Sequence, residues 1–214
     1  MPGRRTLAIV ALLAASALCV ATVEIRTHET GDSYYRFLVW NLILAWVPLG
    51  FAVAAYSRAR RQVDALVWVL LVPWLLFFPN APYLLTDFIH LGEGPAPLWY
   101  DALMLSAFAW TGLLLGFVSV YLVQQVAARM LGPAAGWLTA VGALGLSGLG
   151  IYLGRHVRLN SWDLLLQPQG VVADVLDGLT TLRMLGMSLV MATFLTVAYG
   201  MLYTFLQAAL DERD

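Results

Sequence analysis

Three ionisable side chains lie close together near the middle of the chain, in a pattern suited to acid–base chemistry. Asp87 and His90 are three residues apart, so a helix brings this carboxylate and this imidazole to one face. Asp101 follows a short loop, directly after Trp99 and Tyr100. A carboxylate beside an imidazole serves general acid–base catalysis or supplies half of a metal site. Asp87, His90 and Asp101 are therefore the candidate catalytic residues.

These residues also have structural interpretations. Residues 83–91 carry Tyr83, Thr86, Asp87 and His90 on one helical side and apolar residues on the other. Such a helix can lie flat on a membrane with its polar face in water, or it can turn that face into a cavity between spans. Asp101 also suits the positive N-terminus of the helix that follows. The sequence leaves these alternatives open.

A second polar cluster follows the fifth apolar segment. Arg155 and Arg158 are three residues apart and share a helical face. Their guanidinium forks are suited to the phosphate or carboxylate of a lipid headgroup. Asn160 and Asp163 complete this candidate headgroup-binding set, with Asn160 able to cap a short helix. The alternative is that the arginines form salt bridges with the aspartates, and both roles can coexist.

The sequence leaves the cofactor open. His28, His90 and His156 together with Asp87 have the donor types of a zinc site, and a divalent metal is compatible with them. Their spacing matches no zinc signature such as HExxH. The single Cys19 excludes an internal disulfide and a CxxC site. All 12 basic residues are arginine, which excludes a catalytic lysine.

The composition is that of an integral membrane protein. Of 214 residues, 61% are hydrophobic and only 12% charged, with a mean hydropathy of +0.77. A soluble globule needs more polar surface than this. A formal net charge of −1 gives no attraction to nucleic acid. We expect an all-α protein with a single transmembrane domain over residues 1–214, with six spans at about 7–23, 37–56, 65–78, 102–127, 134–153 and 182–206.

Arginine placement orients these spans. Seven of the arginines fall on one side, including the compact cluster Arg58, Arg60 and Arg61 between the second and third spans. The positive-inside rule then predicts that both termini are cytoplasmic and that both polar clusters face outward. The first span also resembles a signal peptide, because Arg4 and Arg5 precede a short apolar run.

The third span is unusually short. Its 14 residues, 65–78, reach only about 21 Å as an α-helix, which is less than the hydrocarbon core. Pro79, Asn80 and Pro82 follow, so we expect a broken helix and then a short re-entrant or interfacial helix capped by Asn80 on the outer side. Asn41, one turn inside the second span, is expected to clamp Asn80 or the broken backbone.

Small residues recur at helical spacing on the last three spans and allow close helix–helix contact, within one chain or in a homo- or hetero-oligomer. They are Gly112, Gly116 and Ser119, then Ala143, Ser147, Gly150 and Gly154, then Gly186, Thr193, Thr196 and Gly200.

Four blocks of the sequence, 38–48, 78–91, 99–101 and 150–163, resemble the bacterial membrane family called domain of unknown function 1361. The resemblance covers residues from about 38 to 206. It implies a small multi-spanning protein of the bacterial inner membrane and no particular activity. The family pattern is usually apolar or aromatic at position 156, which weakens His156 as a ligand.

Three functions fit this pattern. The first is a membrane-embedded enzyme acting on an anionic lipid or lipid-linked substrate at the outer leaflet. The second is a transporter or channel, although every Asp, Glu, Arg and His falls at or beyond the end of a predicted span rather than near the midplane. The third is a non-catalytic assembly factor for another membrane complex.

Overall fold

The computed structural model describes residues 3–157, 166, 169–170 and 181–211. Within these ranges the chain is helical and contains no strand. Six helices of the described part are long and apolar enough to cross a membrane. The expected all-α membrane architecture is therefore confirmed.

The helices follow one another with short connections. Their bounds are α1 (Arg4–Thr30), a first 3-10 helix (Tyr34–Arg36), α2 (Phe37–Arg61), α3 (Ala65–Phe77), α4 (Asn80–Tyr83), a second 3-10 helix (Leu84–His90), α5 (Leu98–Leu131), α6 (Pro133–Tyr152), a π-helical turn (Leu153–Val157) and α7 (Leu182–Asp211).

The chain divides into two compact units within α5. The first unit, Met1–Val123, contains α1 to α4, both 3-10 helices and most of α5. The second, Gln124–Asp214, contains the end of α5 together with α6 and α7. Every residue of the Asp87, His90 and Asp101 set lies in the first unit.

Helix α1 continues well beyond the apolar run that predicted the first span at 7–23. It ends at Gly31, which adopts the left-handed conformation with φ 69° and donates its N–H to the Thr27 carbonyl at 2.9 Å. The last two turns of α1 therefore carry Arg26 within the helix.

The third span changes its winding at Phe78 and Pro79. Both residues keep right-handed helical dihedrals, with φ −54° and −58°, so the interruption is a local turn. Pro79 and Pro82 have no N–H to donate, which leaves carbonyl groups of the preceding turn without their usual donors. The Asn80 side chain donates to the Phe77 carbonyl at 2.9 Å. Asn80 thus caps the end of α3, whereas α4 has Pro79 at its N-cap position and no side-chain cap.

Glycines on α5 allow the third span to approach closely. A Cβ at Gly112 would collide with the Ala81 carbonyl oxygen and lie 2.7 Å from Cδ1 of Leu84. A Cβ at Gly116 would lie 3.3 Å from that of Ala81. The small-residue pattern of this helix therefore serves packing against α4.

In the second unit, α6 packs against α7. A Cβ at Gly148 would collide with the Ser188 carbonyl oxygen, so this crossing requires glycine. The Tyr199 hydroxyl hydrogen-bonds to the Gln124 side chain. Gly186 and Gly200, expected as contact residues, face open space in the part of the unit that the structure describes.

Candidate functional site

Arg26 is the centre of a polar cluster at one end of the first unit. Helical spacing continues the inward stripe of α1 from Leu12 through Cys19 and Val23 to Arg26. Arg26 is consequently only 2% exposed. A buried guanidinium inside an apolar helix bundle must be paired and hydrogen-bonded to be tolerated.

The guanidinium joins three segments of the chain. Its Nε donates to Oδ1 of Asp101 on α5 at 2.7 Å. One terminal nitrogen, Nη1, donates to Oδ2 of Asp32 at 3.1 Å, and the other, Nη2, donates to the Glu93 carbonyl at 2.8 Å. Asp101 is completely buried, whereas the Asp32 side chain is 30% exposed. Two carboxylates therefore share one cation.

Asp101 has one held oxygen and one unsatisfied oxygen. Oδ1 accepts from Arg26, but Oδ2 is buried without a hydrogen-bond donor among the described residues. Leaving a buried carboxylate oxygen unsatisfied costs about 1–3 kcal/mol or more. The cluster therefore has room in its hydrogen-bonding pattern for one further donor.

Asp32 closes the polar cluster on its exposed side. Its Oδ1 accepts the backbone N–H of Tyr34 at 2.9 Å, in addition to the Arg26 contact of Oδ2. These two interactions hold the pKa of the Asp32 carboxyl below its ordinary value of 3.8. Asp32 therefore stays ionised beside Arg26 at neutral pH.

Gly94 lets the loop 92–97 approach this pair. It has φ +100°, a conformation that L side chains rarely adopt. A Cβ at this position would lie 2.7 Å from Oδ2 of Asp32 and 2.8 Å from Nη2 of Arg26. The Glu93 backbone carbonyl is part of the cluster.

Tyr35 connects Arg26 to the second 3-10 helix. The Arg26 Cζ lies 4.4 Å from the centroid of the Tyr35 ring, a cation–π distance. The Tyr35 hydroxyl donates to the His90 carbonyl. The Tyr34 hydroxyl lies 3.0 Å from Nδ1 of His90, and the His90 ring also contacts Phe37 edge-on.

Asp87 is completely buried on the second 3-10 helix. Asn41 on α2 donates its Nδ2 to Oδ2 of Asp87 at 3.2 Å. Because a 3-10 helix repeats every three residues, Leu84, Asp87 and His90 fall on one face. Leu84 is also fully buried, so this face is directed into the unit. The amide of Asn41 therefore clamps a carboxylate, where the sequence predicted a clamp on Asn80 or the backbone.

The structure places the predicted catalytic residues and the predicted headgroup-binding Arg155 in different units. Asp87, His90 and Asp101 belong to the first unit, where Tyr35 and Arg26 link the His90 backbone to Asp101 and Asn41 holds Asp87. Arg155 lies in the π-helical turn of the second unit. The remaining headgroup candidates, Arg158, Asn160 and Asp163, lie outside the described residues.

The described donors do not form a metal cluster. Within the described ranges, no group of three His, Cys, Asp or Glu side chains could hold a metal ion. The His28 side chain is 87% exposed and lies 3.5 Å from Glu29.

Sequence reasoning missed Arg26, Asp32 and Tyr35. The signal for Arg26 was available, because it continues the i, i+3, i+4 stripe of Cys19 and Val23 past the end of the apolar run.

Comparison with known proteins identifies the family of the chain but assigns it no activity. No curated protein and no solved structure is significantly similar to the chain. A family model described as "Protein of unknown function (DUF1361)" matches residues 40–198, which include most of α2, the third span, α5, α6 and the first part of α7. This match covers well over half of the 214 residues, and the chain therefore belongs to the DUF1361 family.

Proposed function

We propose that the protein is a membrane-embedded enzyme that acts on a lipid or lipid-linked substrate carrying an anionic group. The observation that carries this proposal is the hydrogen bonding of the Asp101 carboxylate. Arg26 fixes one carboxylate oxygen, and the other is buried without a donor among the described residues. A carboxylate held in this way is preorganised to accept a proton or a hydrogen bond from a bound substrate.

The neighbouring residues support this role. Arg26 is a positioning residue, because its three hydrogen bonds fix the orientation of Asp101. Asp87, oriented by Asn41, is the second acid–base candidate. His90 is the third, and Tyr34 orients its ring. Carboxylates in different environments can divide the acid and base roles of one reaction.

Arg26 is already shared by two carboxylates. The headgroup-binding role that the sequence predicts for Arg155, Arg158, Asn160 and Asp163 stays a prediction. In this proposal the protein lies in a bacterial inner membrane with both termini in the cytoplasm. The Asp101 cluster then faces the outer leaflet.

The depth of the charged residues favours an enzyme over a transporter. Arg26 lies close to the end of α1 at Thr30, Asp87 close to His90, and Asp101 in the first turn of α5. Proton-coupled transport by a relay needs ionisable groups near the midplane. These three groups instead gather at one end of the helices, where a lipid headgroup would lie.

A lipid-conversion assay tests the proposal. Protein reconstituted with a bacterial polar lipid extract should convert one lipid species, measured by mass spectrometry. Replacing Asp101 or Asp87 with asparagine should lower the rate by about 10²-fold or more, as expected for loss of acid–base catalysis. Asp64→Asn is the matched control, since Asp64 pairs with Arg58 at the start of α3, away from the cluster.

Two results would overturn the enzyme proposal. One is the absence of lipid conversion by folded wild-type protein in every lipid mixture. The other is lipid conversion at the wild-type rate by both Asp101→Asn and Asp87→Asn, with Asp64→Asn also at the wild-type rate. Circular dichroism of each variant verifies that helix content is retained.

A further inference from the structure

The unsatisfied oxygen of Asp101 indicates what kind of group binds there. Oδ2 can only accept, so its partner must carry an N–H or O–H group. The helices around it already bond most of their own hydroxyls locally. Thr22 and Thr30, for example, donate to backbone carbonyls of α1. No described side chain supplies the missing donor.

The charge around Oδ2 favours a cationic donor. Arg26 balances only one of the two carboxylates, Asp32 and Asp101, that it contacts. The fully buried Asp87 adds a third carboxylate to the same end of the unit. An anion at Oδ2 would be repelled, whereas an ammonium group would gain a charge-assisted hydrogen bond in a low-dielectric site.

The loop 92–97 is the exposed segment attached to the Arg26–Asp101 pair. Residues 92–95 and 97 are exposed, and the loop contacts the cluster through the Glu93 carbonyl and the close approach of Gly94. The Glu93 carbonyl accepts from Arg26, which also holds Asp101, and Gly94 lies close to both Arg26 and Asp32.

We propose that Oδ2 of Asp101 binds the primary ammonium group of a lipid headgroup. This deepens the proposed function by naming the headgroup class, and it rests on that function only for the location of the site. A primary ammonium has N–H groups to donate to Oδ2. A quaternary ammonium has none and should bind poorly.

Lipid retention tests the proposal directly. Wild-type protein is reconstituted with equal amounts of phosphatidylethanolamine, phosphatidylcholine and phosphatidylglycerol, then extracted in mild detergent and analysed by native mass spectrometry. We expect phosphatidylethanolamine to be retained at least about fivefold over phosphatidylcholine, as for one partly screened charge-assisted hydrogen bond. Asp101→Asn should retain the two lipids about equally.

Asp64→Asn is the matched control. It removes a carboxylate that pairs with Arg58 and leaves Arg26, Asp32 and Asp101 in place. The preference should therefore survive in Asp64→Asn. Equal retention of the two lipids by wild type, or a preference that persists in folded Asp101→Asn, would overturn the proposal.

A second arm separates a lipid from a soluble amine. Ethanolamine is added to protein in vesicles of phosphatidylcholine and phosphatidylglycerol, and the thermal unfolding midpoint is measured. If ethanolamine raises the unfolding midpoint as much as phosphatidylethanolamine does, the bound ammonium group need not belong to a lipid, and the proposal of a lipid headgroup is overturned. Selective binding without any lipid conversion would support this inference while contradicting the enzyme proposal. Lipid conversion without a headgroup preference would support the enzyme proposal and contradict this inference.

Discussion

Replacing Gly94 with alanine tests whether the loop 92–97 is fixed by its contact with Arg26. The new Cβ would lie 2.7 Å from Oδ2 of Asp32 and 2.8 Å from Nη2 of Arg26, so at least one of these groups must move. Gly92→Ala is the control, because Gly92 also has a positive φ of +87° but its Cβ would make only an ordinary contact at 3.4 Å.

The two substitutions share one cost and differ in another. Each places alanine in a conformation that costs on the order of 1–3 kcal/mol. Gly94→Ala additionally disturbs the hydrogen bonds that Arg26 makes to Asp32 and the Glu93 carbonyl. A hydrogen bond to a charged group contributes about 1.5–3 kcal/mol, less where solvent screens it. We therefore expect Gly94→Ala to be less stable than Gly92→Ala by about 1–2 kcal/mol.

Thermal unfolding in detergent, followed by circular dichroism, measures this difference. For a chain of this size, 1–2 kcal/mol corresponds to a midpoint lower by about 2–8 °C. Hydrogen exchange at the amides of 92–97 should also be faster in Gly94→Ala, because the loop loses its attachment. Equal midpoints and equal exchange in the two variants would refute the reasoning that the Arg26 contact fixes the loop.

Two further predictions concern other parts of the first unit. The Arg58 side chain lowers the pKa of Asp64 below its ordinary value of 3.8, so the stabilisation is complete above that value and is lost as the pH falls through the lower folded pKa. Asp64→Asn should remove this part of the acid sensitivity, measured as unfolding midpoints between about pH 2 and 5. An unchanged acid profile would contradict this assignment. Gly112→Ala should destabilise by about 1–3 kcal/mol because its Cβ would collide with the Ala81 carbonyl. Gly50→Ala, with open space at its Cβ, should not destabilise, and equal midpoints for the two alanine variants would argue against this close packing.

Composition and apolar runs predict the architecture well, because a bilayer imposes long apolar helices whatever their packing. Polar contacts are harder to predict. Arg26 stood outside the predicted first span, since hydropathy falls before the helix ends at Gly31. The helical stripe through Cys19 and Val23 carried the missing information.

The partner of Asn41 was not predictable for a different reason. Spacing of 3.6 residues groups Tyr83 with Asp87 and His90, whereas the observed 3-10 winding groups Leu84 with them. The prolines that precede this segment indicate an irregular backbone but not which winding follows. The orientation of Asp87 toward Asn41 depends on that winding.

The winding of the third span also determines how far it reaches. Residues 65–83, with a rise of about 1.5 Å each, extend about 28 Å, close to the thickness of the hydrocarbon core. The second 3-10 helix, Leu84–His90, adds about 14 Å at roughly 2.0 Å per residue, which is about 3.5 Å more than an α-helix of that length. For a straight span along the membrane normal, this added length would bring Asp87 and His90 toward the level of the lipid headgroups. A 14-residue apolar run thus belongs to a helical segment, Ala65–His90, that is long enough and apolar enough to cross a membrane.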